Sequence, residues 1–313
     1  MKWISLRLLS VMLNVMVLAP PVGAAPEEVV DDMGTGVLLS GEPVRIVSLA
    51  PSNTELLFAM GLGARVVGVT RYCNYPPAVA AIEKVAGFSD LSVEMIAAVR
   101  PDLVIASRGN DPESLETVRQ MGVPVFALAN NSVAEVIESV RRLGRLTGQQ
   151  QAAETMALCL QARVDNVTQR VLADSATAPV RVLWGFVGET IYTAGTGSII
   201  DDVIRTAGGI NLGREAGEGW PQVSLETVVD WRVEVLLTSL NLGERSLTDA
   251  IEEELSRMRS LDGWRQLPAV ASGGLVHIDA DVLTRPGPRS VEAVELLAAR
   301  LHPLEPASIG DCD

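Results

Sequence analysis

The sequence predicts an α/β protein of two similar lobes, each built on a parallel sheet, joined by one long helix. Three observations lead there. Short apolar runs alternate with helix-forming stretches over most of the 313 residues, which is the pattern of a parallel sheet covered on both faces. The alternation breaks once, near residue 147, and resumes at residue 179. One sixteen-residue phrase occurs twice, 132 positions apart: "SVEMIAAVRPDLVIAS" from Ser92 to Ser107 and "SLETVVDWRVEVLLTS" from Ser224 to Ser239. Each copy reads as a capping Ser, a short helix and a strand, so the copies mark equivalent places in two lobes.

At the N-terminus, Lys2 and Arg7 flank an apolar stretch from Leu8 to Leu18, and small residues end at Ala24 or Ala25. Residues 1–25 therefore carry the three-part pattern of a secretory signal peptide, with an apolar stretch shorter than the ~20 residues a membrane span needs. No Cys stands at the cleavage region, so a soluble exported protein is expected and not a lipoprotein.

The first lobe is expected over residues 44–146. "RIVSLAPS" (Arg45–Ser52) reads as a strand, and "NTELLFAMGLG" as a helix capped by Asn53 or Thr54 and ended by Gly61 and Gly63. "RVVGVT" makes a second strand, and the prolines of "YCNYPPA" hold a loop. After the helix opening at Ser92 come the strand "DLVIAS", a helix near Glu113–Met121 and the strand "PVFALA". Residues 147–175 are the expected linking helix, because Thr147–Ala173 has no Pro and no Gly after Gly148; at full length it would span ~40 Å. The second lobe, residues 179–303, runs through the strand "PVRVLWGF", a helix at Ser198–Ala207, the Glu226 helix and the strand "VEVLLTS". It ends with a helix near Thr248–Ser260, the strand "GLVHID" and a helix at Arg289–Leu301. Residues 304–313 carry no pattern and are expected to be a loose tail.

Composition narrows the function. Without residues 1–25 the chain keeps 23 Lys and Arg against 39 Asp and Glu, a net charge of −16. That argues against nucleic acid and anionic lipid, and suits a partner with a basic face. Cys73, Cys159 and Cys312 form no CxxC pair, which excludes a thiolate metal cage. Three isolated thiols are the plain expectation, with one bridge and a spare thiol as the alternative. Only His277 and His302 are present, too few for a zinc or manganese site of several His. The sequence holds no GxSxG elbow, GxGxxG turn or GxxxxGK[ST] loop, so an exported enzyme has no nucleophile or phosphate cradle to work with.

Open parallel sheets bind ligands beyond the carboxyl ends of their strands. The loops expected there are Ser52–Asn53, Arg71–Pro76, Ser107–Asn110, Asn130–Asn131, Gly185–Tyr192, Gly219–Gln222 and Asp279–Arg285. Seven aromatics lie in or beside them, namely Tyr72, Tyr75, Phe88, Trp184, Phe186, Tyr192 and Trp220, leaving only Phe58, Phe126, Trp231 and Trp264 elsewhere in the mature chain. An aromatic cleft of this width suits a large, flat, partly apolar ligand.

The ordered set "RIVSLAPSNTELLFAMG", "YPPA", "VEMIAAVRPDLVIAS", "WPQVSLE" and "RPGPR", from about Val44 to His302, resembles the class III periplasmic substrate-binding proteins of ABC importers. "WPQVS" and "YPPA" are most similar to the vitamin B12 binders of that family. The resemblance implies two Rossmann-like lobes facing each other across a cleft, tied by one backbone helix. It implies a corrinoid ligand, no cofactor, a permease-dimer partner and a monomeric carrier in the periplasm. By the same resemblance Tyr72, Phe88, Phe186 and Trp220 match cleft aromatics, and Asp281 and Arg285 a polar wall. Trp184, Ser52 and Asn53 join the candidate ligand set by position. Other ligands of the same family define the alternatives. A ferric siderophore would use Arg71, Arg108 or Arg285, and haem would take an axial ligand from Tyr72, Tyr75 or His277.

Glu94 and Glu226 lie two residues after the capping serines of the repeated phrase. An acid in a helix's first turn meets the positive end of the helix dipole, which alone can account for both. The resemblance implies more: a pseudo-symmetric pair of carboxylates, one per lobe, that docks on basic pockets of the permease dimer.

Overall fold

The computed structural model describes residues 28–174, 178–185, 188, 190–302 and 312. The expected signal peptide, Phe186 and most of the expected tail lie outside the described residues.

The described residues open with a hairpin that the alternation pattern gave no sign of, β1 (Val29–Val30) antiparallel to β2 (Gly36–Val37). Asp31 builds its turn by accepting the Met33 and Thr35 N–H groups at 2.9 and 2.8 Å, and its other oxygen accepts the Ala127 N–H at 3.1 Å. The hairpin is thus fastened along the outermost strand of the first sheet, where an open edge would otherwise invite pairing.

That sheet is wholly parallel. Its strands are β3 (Ile46–Ser48), β4 (Val66–Thr70), β5 (Lys84–Ala86), β6 (Leu103–Ser107) and β7 (Val125–Leu128), in the order β5-β4-β3-β6-β7. Between them run α1 (Pro51–Ala59), α2 (Val93–Ala98) and α3 (Pro112–Gln120), and α4 (Val133–Thr147) follows. The order turns back between β3 and β6, which makes their carboxyl ends the switch point of the sheet.

The linking helix, α5 (Gln150–Ala173), begins three residues later than the sequence suggests. The stretch up to Thr147 belongs to α4, and Gly148 stops it by taking a left-handed conformation at φ 74°. The two helices then pack antiparallel and close: a Cβ on Gly144 would lie 2.3 Å from that of Ala153.

The second sheet is β10-β8-β12-β13, also parallel, formed by β8 (Arg181–Trp184), β10 (Ile210–Asn211), β12 (Val235–Thr238) and β13 (Leu275–His277). A small antiparallel ladder of β9 (Ile191–Tyr192) and β11 (Gln222–Val223) stands beside it. The helices are α6 (Ile199–Thr206), α7 (Leu225–Asp230), α8 (Leu247–Ser260), α9 (Pro268–Ser272), α10 (Ala280–Leu283) and α11 (Ser290–Leu301).

Strand alternation sorts the core into layers. Val47, Val104 and Val125 face an outer core of the first lobe, and Leu183 and Leu236 an outer core of the second. Ile46, Leu103 and Phe126 face the other way, into one core that continues through Val140 of α4 and Leu160 of α5 to Ile200 and Leu297 of the second lobe. The lobes therefore share a single buried layer.

The repeated phrase repeats its physics. Ser92 and Ser224 cap α2 and α7 by accepting the N–H groups of Met95 and Thr227. Arg100 and Arg232 both close their helices in the left-handed region, at φ 47° and 49°. The acid two residues on docks the first strand of each lobe: Asp102 accepts the Arg45 N–H at 2.9 Å, and Glu234 the Arg181 N–H at 2.8 Å. Those same arginines return the contact, Arg45 donating to the Val99 carbonyl and Arg181 to the Trp231 carbonyl. Each phrase is a helix–strand unit locked to its lobe's first strand by one acid and one arginine.

Two expectations are corrected. Cys159 and Cys312 form a disulfide, with Cα atoms 5.7 Å apart, so the thiols are not all isolated. The bridge fastens Cys312, inside the stretch expected to be a loose tail, to the middle of α5. Cys73 remains a buried thiol, 3.2 and 3.1 Å from the hydroxyls of Thr54 and Thr70. Replacing Cys159 and Cys312 by Ser is expected to lower stability by about 2–4 kcal/mol through the longer free loop of the unfolded chain. Thermal unfolding of the double variant, matched against the parent with and without reductant, checks this; an unchanged midpoint would refute it.

Candidate functional site

The carboxyl ends of the parallel strands give rise to the loops that hold the expected aromatics. Asn110, which is buried, organises three of them. Its Oδ1 accepts the Ser107 N–H at 2.7 Å, while its Nδ2 donates to the Leu49 and Phe88 carbonyls at 3.0 and 2.6 Å. One amide thus joins the loops after β3, β5 and β6. The Phe88 ring lies over Gly109, where a Cβ would come within 2.6 Å of it.

The rings divide by exposure. Phe126 and Trp264 are 0% and 3% exposed, whereas Phe88, Tyr72 and Trp220 are 36%, 50% and 51% exposed. Trp184, at the end of β8, is 8% exposed and meets Trp220 edge-on, with ring centroids 5.4 Å apart. Trp184 therefore backs Trp220, and Trp220 is the exposed ring of the pair. The β9–β11 ladder sets its position, helped by the side-chain bond from Gln222 to the Tyr192 hydroxyl. Arg71 reaches over Tyr72, donating to its phenol oxygen at 3.2 Å and pairing with Asp90 at 2.9 Å. Those two bonds hold the Arg71 guanidinium above its ordinary pKa, and the Asp90 carboxyl sits below its own.

Asp281 and Arg285, expected as a polar wall, take part in a tie between the lobes. Arg285 donates to Glu55 of α1 at 3.0 Å and to Asn74 Oδ1 at 2.7 Å, and pairs with Asp281 at 2.7 Å. Asn74 in turn donates to Asp281 at 2.9 Å. Arg289 grips the same Glu55 through both carboxylate oxygens, at 2.8 and 2.7 Å, with its guanidinium 4.1 Å from the centre of the Tyr75 ring. Burial opposes the Arg289 charge, but the Glu55 carboxylate outweighs it and holds the pKa above its ordinary value. Arg285 is thus engaged by protein groups around most of its guanidinium. Glu55, Asn74, Arg289 and Asn110 were missed from the sequence. The available signals were a lone acid inside the apolar helix "NTELLFAMG" and two arginines four apart in "RPGPR".

Ser52 and Asn53 are buried at the start of α1, where the Asn53 amide donates to the Ala106 carbonyl at 2.9 Å. His277 is turned inward as a β13 residue: its Nδ1 accepts the Leu240 N–H at 2.9 Å, and burial lowers its pKa against the pull of Asp279. Glu94 and Glu226 are exposed in the first turns of α2 and α7, each in its own lobe.

A family model described as periplasmic binding protein matches residues 46–282. An uncharacterised ABC transporter substrate-binding lipoprotein of Bacillus subtilis is 29% identical over 283 residues, 89% of this chain and 86% of that protein. The crystal structure of the periplasmic vitamin B12 binding protein of Vibrio cholerae superposes with TM-score 0.71 at 28% identity, covering 83% of this chain and 96% of that one. The periplasmic heme-binding protein of Roseiflexus sp. RS-1, in apo form, gives TM-score 0.71 at 26% identity, covering 84% and 98%.

Removing the buried acid tests the tie. Glu55→Ala leaves the partly buried Arg289 without its counter-ion and Arg285 with Asp281 alone, and is expected to cost about 3–5 kcal/mol, with Glu55→Gln intermediate. Chemical denaturation measures both. A cost below about 1 kcal/mol for the Ala variant would mean that the tie contributes no more than a surface pair.

Proposed function

The chain belongs to the periplasmic binding protein family, and on that premise we propose that it delivers a corrinoid such as cobalamin or cobinamide to an ABC importer. Members of the family bind a substrate and hand it over; they are not enzymes. The observation that supports a corrinoid is the set of half-exposed rings at the strand ends. Tyr72 and Phe88 come from the first lobe and Trp220 from the second, with Phe186 a further candidate by sequence. A large planar macrocycle with an apolar face and amide edges matches such rings, which offer area at low entropic cost.

A second reading rests on a separate contact. The Arg71 N–H on the Tyr72 phenol oxygen suits an anionic oxygen ligand to ferric iron, as haem binding would need. Corrin and haem differ in their visible absorbance, so the spectrum of protein taken from its native source separates the two. For the corrinoid, Trp220→Ala is expected to weaken cobalamin binding by about 1–3 kcal/mol in calorimetry. Wild-type protein that gives no heat with cobalamin or cobinamide, yet binds a ferric siderophore, would overturn the reading.

Export follows from the same proposal: the leader is removed near Ala24 or Ala25, and the mature chain, with no Cys at the cleavage region, works as a soluble monomer. Glu94 and Glu226 are proposed to dock it on the permease dimer, one carboxylate per subunit, with the net negative charge adding long-range attraction. Changing both to Lys is expected to abolish most stimulation of the importer's ATPase while ligand affinity stays unchanged. Normal stimulation at physiological salt would leave them as helix-capping acids only.

A further inference from the structure

Three arginines were candidates from the sequence to meet an anionic ligand, and the structure separates them. Arg71 pairs with Asp90 and Arg285 with Glu55 and Asp281. Arg108 donates to Asn131 Oδ1 at 3.1 Å and, among the described residues, pairs with no carboxylate. The nearby acid that senses its charge, Asp32, is itself held by Arg142 at 2.6 Å and by the Ala129 N–H.

Arg108 lines a recess of about 130 Å³ together with Ser52, Asn53, Asn130 and Asn131. The recess opens at the carboxyl ends of β3, β6 and β7, over the switch point of the first sheet. Ser52 is 8% exposed, and its hydroxyl has its nearest recorded partner, Asn53 Oδ1, at 3.5 Å. That is long against the ~2.5–3.0 Å of a strong O–H···O bond, so a buried hydroxyl in the recess is only weakly engaged and can turn to a ligand oxygen. The same helix turn has no side-chain cap, because Ala50 occupies the capping position of α1, and uncapped first-turn N–H groups favour an anion. The volume is below the ~300–1,000 Å³ of pockets that enclose a whole small molecule, but it accommodates one oxyanion group.

We propose that this recess is a subsite for an anionic arm of the cleft ligand, bound by the Arg108 guanidinium and the Ser52 hydroxyl. The inference rests on the reading of the chain as a carrier of a macrocycle. In cobalamin the arm is the phosphodiester of the nucleotide loop, which cobinamide lacks; in haem it is a propionate carboxylate, which the dimethyl ester lacks.

Inorganic phosphate tests the subsite without any macrocycle. Titration into the wild-type protein is expected to shift the amide resonances of Ser52 and Asn53 and the Arg108 side-chain signal to saturation, and Arg108→Gln to abolish the shifts. No such shifts would overturn the subsite whether or not a macrocycle binds. Calorimetry then identifies the arm. Wild-type protein is expected to prefer cobalamin over cobinamide by about tenfold or more, with Arg108→Gln and Ser52→Ala each narrowing the gap by lowering cobalamin affinity alone. The same pattern for haem over its dimethyl ester would assign a carboxylate arm. Phosphate shifts without binding of any of the four ligands would keep the subsite and refute the macrocycle reading. A preference that Arg108→Gln leaves unchanged, or equal losses for both members of a pair, would overturn the proposal.

Discussion

Glu55 sits in the middle of an apolar helix with only 2% of its side chain exposed, and two arginines from the other lobe converge on its carboxylate. A charge buried that deeply is tolerated only when it is paired and hydrogen-bonded. Satisfying it fixes α1 of the first lobe against the segment between α10 and α11 of the second. The tie extends outward through Asn74 and Asp281, so the cluster of two acids and two bases is neutral. The loop that carries Tyr72 and Tyr75 is anchored by the same contacts, since Arg285 meets Asn74 and Arg289 lies on Tyr75. The positions of Tyr72 and Tyr75 thus depend on these charge pairs.

The sequence was most legible where the determining forces are local. A capping Ser, a short amphipathic stretch and an apolar run announced each copy of the repeated phrase, and both copies fold as that grammar says. The parallel alternation was legible for the same reason, because each strand is a self-contained apolar run. The exposed rings Tyr72, Phe88 and Trp220 could be placed in loops from their neighbours alone, though the pairing of Trp184 behind Trp220 could not.

What escaped was set by contacts between distant positions. Glu55 and Arg289 are 234 residues apart, and nothing within either local window shows that one awaits the other. Cys159 and Cys312 are separated by 153 positions, so their bridge was invisible to spacing rules that work over short intervals. Asn110 looked like an ordinary loop residue, yet its three bonds join loops that the chain visits at three different times. The start of α5 was misplaced because helix-forming residues continue on both sides of Gly148, and only the sharp reversal there divides one helix from the next. Arg285 entered the candidate set by resemblance, and its partners Glu55 and Asn74 lie more than 200 positions away, beyond the reach of any local pattern.

The core that runs without interruption from the first sheet through α4 and α5 into the second sheet bears on how an importer would recognise a loaded carrier. A jaw that swings widely announces its cargo by its angle. Here a wide swing would have to open a continuous apolar layer and pull Glu55 from its arginines, so cargo is poorly encoded in gross shape. On the proposed reading, the information available to a docking partner lies instead at the strand ends: the face of the ligand itself and the exposed rings around it. In a carrier built this way the cargo acts as part of the docking surface.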